Sequence, residues 1–360
     1  MAVYPFNFLP WSDEPAAQLR CAKTFIKDKL GPGITPFSPN PSQDNGPIRV
    51  VYLSADFHQH ATAHLVTELF ELHDRKRFAV VGISFGPDDG TPLRQRLARA
   101  FDEFIDARTF GDQAVAELLL KKNVHIAVDL KGYTTDCRPE IFAWRPAPVQ
   151  VNYLGYPGTM GAEFIDYIVV DPFVVPLEQQ PFYTEKLVQL PDCYQVNDRK
   201  RQIADVTPSR MDCGLPAEGF VYCCFNYSYK ITPDIFTIWM RLLTEVPGSV
   251  LWLLKDNEQM EMKLRREAAA RGVEPERLVF APRRPLAEHL ARQRLADLFL
   301  DTLPVNAHTT ASDALWAGLP VLTCAGKSFA ARVAGSLLQA VGLPELVTDK
   351  LEAYESLALA

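Results

Sequence analysis

From Ile48 onward the chain alternates short apolar runs with amphipathic helical stretches, and no other feature restricts its fold as much. IRVVYLSA precedes a helical pattern over 62–72, FAVVGISF one over 91–101 and FDEFIDA one over 112–121; VHIAVDL, VQVNYLGY and DYIVVD extend the series. Strands joined through helices pair in parallel with right-handed crossovers, so the pattern predicts a parallel sheet with helices on both faces. Prolines at 172, 176, 181, 191 and 208 then break the pattern and mark a boundary. A second series follows: GFVYCCFNYSYKI, a helix ending near Val246, SVLWLLK, a charged helix over 257–271, RLVFAP and a helix over 286–293. The expectation is two doubly wound α/β domains, 48–205 and 206–360, facing a cleft at their strand C-termini. Residues 1–47 read as a helix, 13–30, that either caps the following domain or ends something preceding it, and a Gly/Pro-rich linker.

Composition narrows the functional classes. With 48% hydrophobic and 22% charged residues the chain is globular, and a net charge of -7 gives no global attraction for nucleic acid. The local basic triplet Arg199-Lys200-Arg201 reads as a solvated loop. No apolar run approaches the roughly 18 residues of a membrane span, and the N-terminus lacks the pattern of a secretory signal. Seven cysteines without CxxC pairs point to reduced thiols in a cytoplasmic setting, and Cys and His nowhere fall at zinc-ligand spacing, so no metal site is expected.

The stretch 295–324, LADLFLDTLPVNAHTTASDALWAGLPVLTC, reads as strand, loop, helix and strand. Thr309 or Thr310 suits the helix N-cap, Gly318 its C′ position, and Pro320 discourages continuation. Such a βαβ unit leaves backbone N–H groups and the positive end of a helix dipole at the loop mouth, a site for phosphate. Asp313, one turn in, is placed to accept from a sugar hydroxyl.

Other strand ends carry further candidates. The loop Asp56-Phe57-His58-Gln59-His60 and the helix start through His64 hold three histidines. Their spacing favours a metal less than it favours His60 as a polar or acid–base group facing substrate; the alternative is that His60 merely caps the helix. Leu154 to Gly161 is a glycine-rich loop without dinucleotide spacing, suited either to close approach of a ligand or to a tight turn. Gly326-Lys327-Ser328 lacks the preceding glycine of a phosphate-binding loop. Lys230 follows the first strand of the second domain, where an ammonium can balance charge on a leaving pyrophosphate. His289 and Arg292 share one helix face, where planar groups can bracket a base.

Taken together, SADFHQHATAHL, GPDDGT, RPAPVQ, LGYPGTMGA with DYIVVD, FNYSYKI, PGSVLWLLK, AEHLARQRLADLFLD and AHTTASDALWAGLPVLT resemble the catalytic region of the O-linked N-acetylglucosamine transferases over 48 to about 355. These are intracellular glycosyltransferases of the GT-B fold, usually preceded by tetratricopeptide helices. The resemblance, nearest to bacterial-type members without an inter-domain insertion, implies an inverting, metal-independent enzyme. It would move N-acetylglucosamine from UDP-GlcNAc to Ser/Thr hydroxyls of a protein or peptide, with no cofactor, nucleic acid or membrane partner. It implies that His308, Thr309 and Thr310 hold the diphosphate, that Asp313 takes the ribose hydroxyls, and that Lys230 stabilises the leaving group. His289 and Arg292 would flank the uracil, with Ala281 offering backbone to its edge. His60 would face the acceptor as a base candidate, and Tyr229, Pro157, Gly158 and Thr159 would line the sugar and acceptor pocket. Tyr227 departs from animal members, which carry Gln there. The resemblance also implies final helices beyond Ala360, without which lower activity is expected. The alternatives are an O-fucosyltransferase using GDP-fucose and a nucleotide-sugar-binding module without catalysis.

Overall fold

The computed structural model describes residues 2–31, 33–40 and 46–360; part of the expected linker, 32 and 41–45, lies outside them. The chain divides into two compact units, Met1–Lys200 and Arg201–Ala360, five residues before the boundary expected from the prolines.

The first unit holds seven parallel strands: β1 Ile48–Ser54, β2 Phe78–Ser84, β3 Glu103–Asp106, β4 Ile126–Asp129, β5 Val149–Asn152, β6 Tyr167–Val170 and β7 Lys186–Gln189. Their order is β3-β2-β1-β4-β5-β6-β7. The strand β7 falls in the proline-broken stretch that the sequence marks as irregular. Its residues are only partly buried, so no apolar run announces it, and its pairing with β6 rather than its composition makes it a strand.

The second unit holds six: β8 Val221–Cys224, β9 Val250–Leu254, β10 Leu278–Ala281, β11 Leu298–Leu300, β12 Val321–Cys324 and β13 Val347–Thr348. They run in the order β10-β9-β8-β11-β12-β13. In each sheet the strand order reverses direction once, between β1 and β4 and between β8 and β11. In doubly wound sheets ligands bind beyond the strand C-termini at this switch point. The topology therefore selects the loops after β1 and β4 in one unit, and those after β8 and β11 in the other.

Local sequence explains the helices that frame these loops. Thr91 Oγ1 accepts from Arg94 N at 3.3 Å to cap the helix Pro92–Arg99, which also has proline in its first turn. The helix Thr309–Trp316 ends in a Schellman motif: Leu319 N donates to Ala314 O at 2.9 Å and Gly318 N to Leu315 O at 3.1 Å, with Gly318 at φ 84°. Any other residue there would cost about 1–2 kcal/mol.

Residues before β1 do not form a separate unit. The helix Pro15–Lys29 packs on the first sheet's domain: Phe25 meets the Tyr133 ring edge-on at 5.0 Å, and Tyr4 donates to Thr134 O at 2.6 Å. Of the two open readings of this helix, packing on the domain that follows is the one observed, because its apolar face needs a partner.

Candidate functional site

In the second unit, β8 ends at Cys224 and the chain turns through Asn226 to Lys230 in a short 3₁₀ helix. Lys230 is 9% exposed and its Nζ donates to Asn306 O at 2.6 Å. Burial pulls its pKa down to about 8, partly countered by the nearby Asp301 carboxylate. Asn306 belongs to the loop between β11 and the helix Thr309–Trp316. Asp301 Oδ1 ties the two ends of that loop, accepting from Thr302 N at 2.7 Å and Ala307 N at 2.6 Å.

The helix begins differently from the expectation. Its N-cap is His308, whose side chain caps nothing, and Thr309 and Thr310 lie within the first turn. Thr310 donates its hydroxyl to Asn226 Oδ1 instead, a long-range bond unavailable to sequence reasoning. The N-cap side chain thus leaves the first-turn N–H groups uncovered. His308 Nε2 lies 3.2 Å from Ala330 O, a carbonyl that can only accept, so the imidazole proton sits on Nε2. Burial, aided by Lys230, pulls its pKa down to about 3 and keeps it neutral. Any anion here meets backbone N–H groups and Lys230, not an imidazolium.

Asp313, expected to face a sugar, is 7% exposed and accepts from Arg201 Nη1 at 2.6 Å. Arg201 in turn lies over the Trp316 ring at 5.0 Å. The basic triplet is therefore no solvated loop throughout: Arg199 pairs with Glu68 at 3.0 Å and Lys200 with Glu71 at 2.7 Å, both cations exposed, while Arg201 is buried. A buried guanidinium needs an ionised partner, and Asp313 is that partner. Even so, burial lifts the Asp313 carboxyl to about 6.

His289 and Arg292 meet as their spacing predicts. Arg292 donates to His289 Nδ1 from Nε at 3.0 Å, so the neutral ring carries its proton on Nε2. Arg292 is 1% exposed, anchored on Pro282 O at 2.6 Å and set over the rings of Phe225 and Trp252. Burial and this guanidinium pull the His289 pKa down to about 3. Ala281 closes β10, and its carbonyl already accepts from Lys255 N at 2.8 Å. Tyr229 is 44% exposed and stacks against Tyr227, whose ring lies under Arg283 at 5.0 Å.

In the first unit the switch point gathers groups that sequence reasoning mostly passed over. Lys131, in the loop after β4, bonds both oxygens of Asp56 at 2.8 and 2.7 Å, and both residues are buried. Asp129 accepts from Lys131 N at 2.8 Å, and burial lifts its carboxyl to about 6. His60 caps the helix Ala61–Glu71: Thr62 N donates to its Nδ1 at 3.2 Å, with Asp56 Oδ2 3.6 Å away. The neutral ring therefore carries its proton on Nε2, and burial holds the pKa below the ordinary value. His60 thus caps the helix through Nδ1, the nitrogen that Asp56 lies beside.

Pro157, Gly158 and Thr159 are buried. Thr159 donates to Glu185 Oε2 at 2.6 Å and Met160 N to Glu185 Oε1 at 2.6 Å. The neighbouring Gly155 makes room for its own chain, since a Cβ there would stand 2.0 Å from Leu130 O. This glycine brings the loops after β4 and β5 together. Among the described residues no group of three or more His, Cys, Asp or Glu side chains is arranged to hold a metal ion. No helix among them is long and apolar enough to cross a membrane.

Comparison with known proteins identifies the lineage. The model of glycosyl transferase family 41 matches residues 33–208 and 200–360. A probable UDP-N-acetylglucosamine–peptide N-acetylglucosaminyltransferase of Arabidopsis thaliana is 39% identical over 375 aligned residues, covering 100% of this chain and 38% of the relative. The UDP-N-acetylglucosamine–peptide N-acetylglucosaminyltransferase of Caenorhabditis elegans is 30% identical, over 88% of this chain and 37% of that protein. The chain thus spans under two-fifths of the length of these curated relatives. A solved Thermobaculum terrenum O-GlcNAc transferase mutant superposes with a TM-score of 0.85 at 31% identity, over 96% of this chain and 66% of that one. The two Rossmann-like parallel-sheet units are those of a GT-B glycosyltransferase. By the extent of these matches, the chain belongs to glycosyl transferase family 41.

Proposed function

We propose that the chain carries the catalytic region of an inverting, metal-independent glycosyltransferase that moves N-acetylglucosamine from UDP-GlcNAc to Ser/Thr hydroxyls of proteins. The observation that carries this reading is Lys230, a nearly buried ammonium held on the Asn306 carbonyl at the entrance to the helix Thr309–Trp316. The acceptor hydroxyl oxygen attacks the anomeric carbon from the face opposite the nucleotide and gives up its proton to solvent water. The bond to the diphosphate oxygen breaks, and uridine diphosphate leaves with the electron pair. The negative charge that builds on it meets Lys230 and the first-turn N–H groups, which supply the stabilisation a divalent cation would otherwise give.

His289 and Arg292 present a rigid pair of planar groups to a base, with the Nε2–H of His289 left as its donor. Asp313, oriented by Arg201, accepts from the ribose diol. His60 acts as a donor toward sugar or acceptor rather than as the base, because its Nδ1 is occupied by Thr62 N–H and its Nε2 already carries the proton. The seven cysteines are thiols, none in a disulfide, which supports an intracellular, reducing setting.

The test incubates the protein with UDP-GlcNAc and Ser/Thr peptides and reads the acceptor's mass for one added N-acetylhexosamine. Calorimetric titration runs alongside with uridine and guanosine diphosphate sugars. Transfer with preferential uridine-nucleotide binding is expected; tighter guanosine binding, or binding without transfer, sinks the reading.

A further inference from the structure

Asp301 stands just beyond β11 and is 1% exposed, and its carboxylate ties together the loop that serves Lys230 and fastens it to its neighbours. Oδ1 accepts from Thr302 N at 2.7 Å and Ala307 N at 2.6 Å, which closes the loop end to end, and from Asn226 Nδ2 at 3.3 Å. Oδ2 accepts from the Thr323 hydroxyl at 2.6 Å. The loop so closed turns the Asn306 carbonyl toward Lys230 Nζ, while Asn306 Nδ2 donates to Thr302 O at 2.8 Å. Asn226 joins the same network to the helix, accepting the Thr310 hydroxyl on its other amide atom.

We propose that Asp301 is the positioning residue of the lysine site: it closes the loop that presents the Asn306 carbonyl and supplies the negative charge that keeps the buried Lys230 protonated. This rests on the reading of Lys230 as the cation that meets the leaving group. A buried ammonium facing only a neutral carbonyl sheds its proton, and a neutral amine offers a diphosphate no charge. The other titratable groups facing Lys230 carry none. Burial pushes the Cys224 thiol up to about 12, His308 is pulled down to about 3, and the Tyr354 phenol near Asp301 is raised. Asp301, lifted to about 6 by burial, is still ionised at neutral pH, so it is the one charged partner of Lys230 among the described residues. Asp301 touches no reacting atom and acts through Lys230 and the loop.

The experiment is a pH titration of the intact protein labelled with ¹³Cε-lysine, in which loss of one resonance in Lys230→Arg identifies Lys230. In the wild type that resonance should titrate with a midpoint near the depressed value and show a smaller inflection near pH 6 as Asp301 ionises. In Asp301→Asn the main midpoint should fall by at least about one pH unit, a tenfold loss of protonated lysine at alkaline pH. Thr323→Val, which removes one bond to Asp301 but keeps its charge, should leave the midpoint in place. The alkaline limb of UDP-GlcNAc transfer should move with the resonance.

An unchanged midpoint in folded Asp301→Asn overturns the proposal. If that variant does not fold, absence of the inflection near pH 6 in the wild type overturns it equally. If the midpoint moves while the wild type transfers no sugar, the functional reading fails and the assignment of Asp301 stands.

Discussion

Each unit buries a lysine beside an aspartate at its switch point, yet the two pairs are wired in opposite ways. In the first unit Lys131 Nζ is bonded to both oxygens of Asp56, and the charge is consumed within the protein. In the second, Lys230 Nζ is held by the backbone carbonyl of Asn306, while Asp301 spends its oxygens on Thr302 N, Ala307 N and Thr323. One arrangement locks two loops together. The other leaves a protonated amine whose remaining N–H groups have no acceptor among the described residues, and so keeps it available for an anionic ligand. The same kind of switch point and the same residue types thus give a structural pair in one place and a poised cation in the other, decided by what the carboxylate bonds first.

The sharpest way to break this comparison is to remove each lysine in turn. Lys230→Ala should lower sugar transfer by at least about 10²–10³-fold, as loss of an oxyanion-stabilising donor does, while the melting temperature holds. Near-normal turnover, measured with UDP-GlcNAc, would refute its role. Lys131→Met should instead destabilise the protein by about 3–5 kcal/mol in urea unfolding, because the Asp56 carboxylate is left buried and unpaired. Adding Asp56→Leu should recover most of that loss. If Lys131→Met is neutral, the contrast between the two pairs collapses.

Acidity gives a gentler probe. Lys230 must be protonated to act, and burial has brought its pKa down to about 8, so transfer should be steady from about pH 6, where the Asp313 carboxyl ionises, up to that pH and fall about tenfold per unit above it. A rate that holds to pH 10 would show that the charge is not needed. The smallest effect is expected at Arg201. Arg201→Gln should raise the donor KM about tenfold with kcat little changed, since it withdraws the cation that counters burial and so lets the Asp313 carboxyl climb above about 6. A fall in kcat at constant KM would place Asp313 elsewhere in the reaction.

Much of the architecture was legible in the residues. The helix Leu286–Gln293 and the strands on either side of it stand where periodicity predicts, and Gly318 ends its helix as a C′ glycine. The strand β7 was not legible, because it depends on a partner rather than on its own pattern, and docking of the N-terminal helix was one of two open readings. At the site, His289 and Arg292 could be paired from their three-residue spacing, which puts both on one helix face. His60 as helix cap was one of two open readings, and its Nδ1 bond to Thr62 shows the capping role. Thr310 was expected to cap a helix, yet its hydroxyl serves Asn226.

Taken alone, the sequence determined the alternation of strands and helices, the two-unit α/β class and the loops rich in chemistry at strand ends, since these follow from short-range periodicity and turn residues. Only the tertiary structure decided which charges are spent and which are kept. Lys230 meets Asn306 across 76 residues, Lys131 meets Asp56 across 75 and Arg201 meets Asp313 across 112. No local pattern encodes such pairings. They arise when parallel strands bring distant loops to one switch point, where burial makes each charge costly unless it is bonded.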